Sequence, residues 1–487
     1  MTSQYQSEDQ GSGRHTSGPG PDQSRERGEP SDEALGPLIE LELNDLAYGG
    51  DAVGRYHGRA VFVPGGLPGE LVRARLFRER SNYARASLEE VLRASPERVA
   101  ARYPELGESG GFQWQHLDYA AQLRWKTRIV RQLLVRIGRF PNPPVQPTIG
   151  MPPGSDPWRY RTVAQFAIGP EGAIGFRRAG SHDVLDMPSC PIVHPALNTV
   201  YIQVRDWMQA TWGERAADYA ERFTLRVAVA APGGGPEHFD DERGPGLLAI
   251  ETRPGSAIDA DGGPHALGEA LMAASPDLVG AVILGMPGGR GRVVVGQDFV
   301  HEHVMDRVFR ISAGSFFQVN AEQTPVLVEQ AIEALNPHPD DLALDGYSGV
   351  GLFSLFLADD VRHVHAIESQ PSAVADARAS AALNGVLNLT VTEGVLERVL
   401  GMARRQGEAV DIALVDPPRA GCHPRAITEL KALAPRCIVY VSCDPSTLAR
   451  DLQLFCNDSY RLTNVQPVDM FPFTSHIESV ALIERTR

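Results

Sequence analysis

The chain has 487 residues, 43% hydrophobic and 22% charged, with a formal net charge of −15 at pH 7. That length suits about three domains of roughly 150 residues, and the apolar share excludes a largely disordered chain, a collagen and a coiled coil. No apolar run reaches the ~18 residues of a membrane span, Met1-Thr2-Ser3-Gln4-Tyr5 lacks a signal-peptide pattern, and five cysteines exclude a disulfide scaffold, so a cytoplasmic protein is expected, monomeric and away from membranes.

Residues 1–36 are mostly Gln, Ser, Gly, Pro, Asp and Glu. They cannot bury enough surface to offset their ordering entropy, which predicts a disordered tail. At Pro37 the pattern changes. Ile39, Leu41 and Leu43 alternate with polar neighbours, and Arg59-Ala60-Val61-Phe62-Val63 forms a second run after Gly49-Gly50-Asp51. In 70–77, Val72, Ala74 and Leu76 share one face while Arg73, Arg75 and Phe77 share the other; 87–92 is a fourth run. Short strands with Gly/Pro turns predict a small OB-like β-barrel over 37–95.

The acidic total conceals a basic stretch here. From Arg55 to Arg139 there are 16 Lys+Arg against 8 Asp+Glu, a surplus of 8. Local charge steers phosphates more than net charge does. The barrel's arginines beside an aromatic make either an RNA platform or an ordinary surface of snorkelling side chains.

Between His116 and Gly138, Ala121, Trp125, Ile129, Leu133 and Ile137 recur at helical spacing. They predict an amphipathic helix over 116–138 that packs on the C-terminal domain, with Arg124, Arg128 and Arg131 on another face. The rest of 96–310 shows short strands and Gly/Pro turns, as in Val282-Ile283-Leu284, and predicts a central α+β domain.

Residues 311–487 alternate apolar strands with helices. Strands are expected at 342–345, 364–368, 389–391, 411–416 and 436–441, and helices at 351–357 and 372–383. This is the rhythm of an α/β, Rossmann-like, doubly wound parallel sheet.

Four clusters there carry chemistry. Leu344-Asp345-Gly346-Tyr347-Ser348-Gly349-Val350-Gly351 is a strand running into a glycine turn. Glu368 closes the next strand, at the spacing where a carboxylate accepts hydrogen bonds from a ribose. A nucleoside cofactor is implied; NAD and S-adenosylmethionine are not separated by this pattern. Asp416-Pro417-Pro418-Arg419 follows a buried strand, so Asp416 either faces the crevice at the sheet edge or caps a helix. Cys443, in Ser442-Cys443-Asp444-Pro445, sits at the same edge as a nucleophile or as an inert buried thiol. In His476-Ile477-Glu478, Glu478 begins the last apolar run as a general base or a surface glutamate. Upstream, Gly314-Ser315-Phe316-Phe317-Gln318-Val319-Asn320 joins two aromatics to two amides. That suits stacking and hydrogen bonding to a planar ring, or else a core Phe pair at a helix start.

In this order the motifs resemble those of RNA uracil-5-methyltransferases. Residues 38–92, with Ala52-Val53-Gly54-Arg55 and Val61 to Glu70, look like a TRAM domain; Gln115-His116-Leu117-Asp118-Tyr119 and Gly175-Phe176-Arg177-Arg178 also fit. The resemblance implies methyl transfer from S-adenosylmethionine to carbon 5 of a uridine in RNA. It implies Cys443 as nucleophile and Glu478 as base, and a uracil held by Gln318 and Asp416 with Phe316 stacked on a base. Gln318, Asp345, Tyr347, Gly349, Glu368 and Asp416 would border the methyl donor. The TRAM domain points to 23S rRNA; a tRNA uridine methyltransferase, a non-catalytic RNA-binding assembly factor and a small-molecule methyltransferase are the alternatives.

The chain departs from the family pattern at several places. Asp444 stands where Asn is usual, and an anion beside Cys443 is expected to raise the thiol pKa unless it points away. Ser348 stands where Cys is frequent, Phe473 where His is common, and Gly394-Val395-Leu396-Glu397 lacks the usual acidic residue after glycine. Many rRNA-acting members hold an iron–sulfur cluster on four cysteines. Here only Cys190 matches, with Tyr103, Ser109 and Phe112 at the other places, so no iron–sulfur cluster and no metal are expected.

Overall fold

The computed structural model describes residues 36–229, 243–253, 258, 262–284 and 292–486. Except for Gly36, the expected tail at 1–36 lies outside them. Five strands come first: β1 (Leu38–Leu46), β2 (Ala52–Tyr56), β3 (Arg59–Val63), β4 (Leu71–Glu79) and β5 (Tyr83–Arg93). They close into a barrel in the order β1-β2-β3-β5-β4. Ile39, Leu41, Leu43, Val72, Ala74 and Leu76 all point into its core, because side chains alternate across a strand. The sequence pattern missed β2, whose Gly54 has no side chain to reveal its face. A Cβ there would sit 2.5 Å from the Glu42 carbonyl oxygen, so glycine lets β1 and β2 approach.

Several of the barrel's arginines are paired with acids across the strands. Arg73 pairs with Glu40 and Glu90, Arg75 with Glu89, Arg59 with Glu79, Arg93 with Glu42 and Arg85 with Asp51. Glu40, Glu42 and Asp51 precede Arg55 in the chain, so a charge count beginning at Arg55 omits them; only strand pairing shows that they face the arginines.

The helix α1 (Tyr119–Arg136) starts at Asp118, whose side chain accepts from the Ala121 amide, so His116 and Ile137 lie outside it. Its arginine stripe is also engaged. Arg124 pairs with Glu97, Arg128 lies 3.4 Å from Asp45 and stacks over Trp125, and Arg131 donates to the Val145 carbonyl. Trp125, Ile129, Val130 and Leu134 belong to one core that runs from the barrel to one face of the C-terminal sheet.

The central region carries β6 (Val163–Ile168), β7 (Ile174–Arg177), β8 (Val184–Asp186), α2 (Pro195–Thr211), α3 (Ala216–Tyr219), β9 (Ala220–Val227), β10 (Gly246–Thr252), α4 (Gly263–Ala274), β11 (Leu278–Leu284) and β12 (Arg292–Gly296). Its strands form one mixed sheet in the order β12-β11-β10-β9-β6-β7-β8. Tyr103 and Phe112 both pack on Trp158, and burial pushes the Cys190 thiol up to about 12. A hairpin follows, β13 (Phe299–Val304) and β14 (Arg307–Ser312). The expected division at 310 falls inside β14, whose Phe309 and Ile311 pack with the C-terminal core.

The last part contains α5 (Thr324–Leu335), β15 (Leu342–Gly346), α6 (Leu352–Leu357), β16 (His363–Glu368), α7 (Pro371–Leu383), β17 (Leu389–Glu393), α8 (Leu396–Gln406), β18 (Ile412–Val415), α9 (Pro424–Leu433), β19 (Cys437–Ser442), α10 (Pro445–Phe455), β20 (Tyr460–Val468) and β21 (Glu478–Arg485). The sheet order is β17-β16-β15-β18-β19-β21-β20. The first five strands are parallel; β21 runs antiparallel to β19 and β20. Alternate residues of one strand join different cores: Leu344, Ala413 and Ile438 on one side, Ala343, Leu414 and Val439 on the other. A sheet covered on both faces reads as continuous apolar runs. No described helix is long and apolar enough to cross a membrane.

Candidate active site

Doubly wound sheets bind ligands outside the carboxyl ends of their parallel strands. Asp345 is next to last in β15, Glu368 ends β16, Asp416 follows β18 and Cys443 follows β19. The antiparallel partner brings one more group. Ser442 pairs with Ser479 across β19 and β21, so Cys443 and Glu478, the residues just outside that pair, lie at the same end of the two strands, near enough for the Glu478 charge to act on the thiol.

The electrostatics of this edge are set by burial among acids. Asp345 is fully buried and Glu478 is 3% exposed. Burial raises the Asp345 carboxyl to about 7, although Ser354 donates to it. Burial and then the nearby Asp345 raise Asp416 to about 7. Glu478 is raised well above the usual carboxylate range by burial, then by Asp416, with Arg419 opposing. The Cys443 thiol is pushed up to about 12 by burial, then by Glu478 and Asp416, again with Arg419 opposing. Such a cluster holds protons at neutral pH, and one incoming partner can redistribute them. Arg419, quoted in the sequence only as part of its motif, is a cation common to Cys443 and Glu478.

Asp444 turns away from the thiol. Its Oδ1 accepts from the Ser446 and Thr447 amides and from the Ser446 hydroxyl, capping α10. The Asp444 charge still raises the Cys443 thiol, as expected, but it comes last among the causes. The Tyr48 hydroxyl, from the β1–β2 turn, also hydrogen-bonds Asp444. Sequence reasoning missed Tyr48, since nothing local ties residue 48 to residue 444.

The cofactor candidates divide. Glu368 accepts from the Gly349, Ser369 and Gln370 amides, holding the glycine turn against the end of β16. Gly349 has φ +56° and open space where a Cβ would be, so the turn presents bare backbone to a ligand. Asp345 Oδ1 and Ser348 Oγ are buried without a hydrogen-bond partner. Unsatisfied acceptors beside an open glycine turn fit a nucleoside cofactor with several hydroxyl and amino groups. The Tyr347 hydroxyl, by contrast, bonds the Cys422 thiol and the His423 backbone.

The 313–320 segment joins this edge to the central sheet. Gln370 donates to the Gly314 carbonyl, and the Ser315 hydroxyl donates to Asp376. The two phenylalanines part company: Phe317 is 3% exposed in the core, whereas Phe316 is 68% exposed. Gln318 is buried.

A TRAM domain model matches residues 35–88, and a tRNA (Uracil-5-)-methyltransferase model matches residues 278–486. An uncharacterized RNA methyltransferase of Halalkalibacterium halodurans is 38% identical over 460 residues, covering 92% of this chain and 97% of that protein. One of Caldanaerobacter subterraneus subsp. tengcongensis is 35% identical over 474 residues, covering 93% and 99%. The crystal structure of Pyrococcus abyssi tRNA (uracil-54, C5)-methyltransferase with S-adenosyl-L-homocysteine superposes with a TM-score of 0.66 at 25% identity, covering 91% of this chain and all of that one. The glycine turn, the acidic strand ends and the TRAM barrel thus occur together in one S-adenosylmethionine-dependent fold, and the chain belongs to the RNA uracil-5-methyltransferase family.

Proposed function

We propose that this chain methylates carbon 5 of a uridine in 23S ribosomal RNA, with Cys443 as nucleophile and Glu478 as base. The observation that supports this reading is the β19–β21 register, which brings the chain next to Cys443 and next to Glu478 to the same end of the sheet, where both groups feel the Asp416 charge. Carbon 5 of uracil is a weak nucleophile. The Cys443 thiol loses its proton to a neighbouring carboxylate and its sulfur bonds carbon 6, moving the ring electrons onto the carbon 4 oxygen as an enolate. S-adenosylmethionine, when bound, supplies an electrophilic methyl group to carbon 5. Glu478 as carboxylate then takes the carbon 5 proton, the carbon 5–carbon 6 double bond re-forms, and the Cys443 sulfur leaves. A base with a raised pKa suits that step near neutral pH.

Gln318 and Asp416 hold the uracil, Asp416 at the imide N–H, and Phe316 stacks on a base. Asp345, Glu368 and the Gly349 turn hold the methyl donor, with Gln318 and Asp416 along its border; Tyr347 contributes through the turn's backbone, its hydroxyl being engaged. The uridine must leave its stack to reach Cys443, and the TRAM barrel is the RNA-gripping part. A reaction on ribosomal RNA belongs to the cytoplasm. The helix cap formed by Asp444 supports a catalytic reading over that of a non-catalytic binder.

A second reading, a tRNA uridine as substrate, is favoured by the likeness to the Pyrococcus protein, which acts on tRNA. Mapping 5-methyluridine in 23S rRNA and tRNA from cells with and without the protein decides. Loss at a 23S position supports the first reading and loss in tRNA the second. No loss in either overturns both.

A further inference from the structure

Side chains four residues apart share one face of a helix. On α7 one such face is polar, with Ser372, Asp376, Ser380 and, at the helix end, Asn384. It lies along β14 and meets every second residue of that strand. Asn384 accepts from the Val308 amide at 3.0 Å and donates to the Val308 carbonyl at 2.7 Å. Ser380 accepts from the Arg310 amide at 3.0 Å, and Asp376 from the Ser312 amide at 2.8 Å. Four residues of helix rise about 6 Å and two residues of strand about 6.6 Å, so the two repeats stay in step. The helix side chains stand where a neighbouring strand would, and they guide the chain as far as Ser315.

Asp376 differs from the rest of this ladder in being a fully buried carboxylate. Its Oδ1 accepts from the Arg310 guanidinium and from the Ser312 hydroxyl at 2.7 Å. Its Oδ2 accepts from the Ser312 amide and from the Ser315 hydroxyl at 2.6 Å. A carboxylate has about four acceptor positions, and all four are filled from residues 310–315, ending one residue short of Phe316. The Ser315 oxygen is also 3.3 Å from the Ser372 hydroxyl. Gln370 donates to the Gly314 carbonyl through its side chain and to Glu368 through its amide. Downstream, the Thr162 amide donates to the Val319 carbonyl at 2.9 Å, and Asn320 donates to the Met470 carbonyl at 3.2 Å. Phe316-Phe317-Gln318 is thus a short span between two anchors, and its first anchor is a helix that follows the methyl-donor edge.

We propose that Asp376 is a positioning residue for methyl transfer: through Ser312 and Ser315 it fixes the backbone that presents Phe316 and Gln318 to the RNA, in register with the methyl donor. The inference rests on the proposed function, in which Gln318 holds the uracil. Asp376 itself is enclosed by protein and acts only through that segment. A misplacement of about 1 Å at a reacting centre can cost about 10²-fold in rate, so an anchor of this kind is felt in the chemical step more than in binding.

The test follows methyl transfer from S-adenosylmethionine to an RNA stem-loop carrying the mapped uridine, with kcat, both KM values and the melting temperature measured for the full chain and three variants. Asp376→Asn should lower kcat about 10²-fold. Ser315→Ala removes one hydrogen bond to a charged group and should lower kcat about tenfold. It keeps the Arg310–Asp376 ion pair, so it answers the question even where Asp376→Asn fails to fold. Both KM values should stay within about twofold of wild type, the pattern of an interaction that matters in the transition state. Ser380→Ala loosens the same ladder farther from Phe316 and should lower the melting temperature while keeping kcat. An unchanged kcat in Ser315→Ala, a matching rise in the KM for S-adenosylmethionine, or an equal loss of kcat in Ser380→Ala would overturn the positioning role while wild-type methyl transfer persists. Absence of methyl transfer by the wild type to any RNA would overturn the functional reading and this inference together.

Discussion

Lys126 donates to Asp469 at 2.5 Å, and neither side chain is reached by solvent. The ammonium also donates to the Phe471 carbonyl, and one turn earlier Gln122 accepts from the Phe473 amide. Helix α1 therefore grips the segment that runs from β20 to Glu478. Replacing Lys126 by Met strands a buried carboxylate, which typically costs about 3–5 kcal/mol. Urea unfolding should show a loss of that size for Lys126→Met, and a smaller one for Lys126→Met combined with Asp469→Leu. Equal losses in both would mean that the pair itself contributes little.

Asp444, next to Cys443, caps α10 with its side chain. Asn caps a helix about as well as Asp, whereas Ala costs about 1 kcal/mol. Asp444→Asn should therefore keep methyl transfer within about threefold of wild type, since the cap survives. Asp444→Ala should lower both thermal stability and rate. A large loss of rate in Asp444→Asn, with unchanged melting, would give the carboxylate a chemical role instead.

Glu478 and Cys443 act at different stages, and their variants should differ in kind. Glu478→Gln should lower kcat by about 10²–10⁴ and leave a protein–RNA adduct that survives denaturing electrophoresis, because sulfur addition precedes proton removal. Cys443→Ala should form no adduct. An adduct in the alanine variant would move the nucleophile elsewhere.

The Cys443 thiol is raised to about 12 in the ligand-free protein, with burial first and Glu478 the leading charge. Only the thiolate alkylates, so well below that value the rate should climb about tenfold per pH unit. Removing the Glu478 charge lowers the thiol pKa, so Glu478→Gln should alkylate faster at a fixed alkaline pH. Iodoacetamide labelling of the Cys443 peptide, followed by mass spectrometry, measures this. An unchanged rate in the variant would separate the two groups electrostatically.

Much of the cofactor edge was legible because its grammar is local. A strand, a turn and a helix start lie within a few residues of one another, so Asp345, Glu368, Asp416 and Cys443 could each be assigned to the end of a parallel strand from their own neighbourhoods. The barrel's inward faces were legible for the same reason, through period-two alternation. The start of α1 was less so, because Asp118 caps the helix there through its own side chain and leaves His116 outside it.

Sequence by itself determined the layers of this protein and which chemical groups stand at the sheet's edge. Tertiary structure alone decided which charges meet. Whether Arg73 met Glu40 and whether Lys126 met Asp469 were questions about residues far apart in the chain. Backbone periodicity is a short-range signal, whereas Coulomb attraction and desolvation depend on distance in space, so no reading confined to neighbours in sequence could have weighed them.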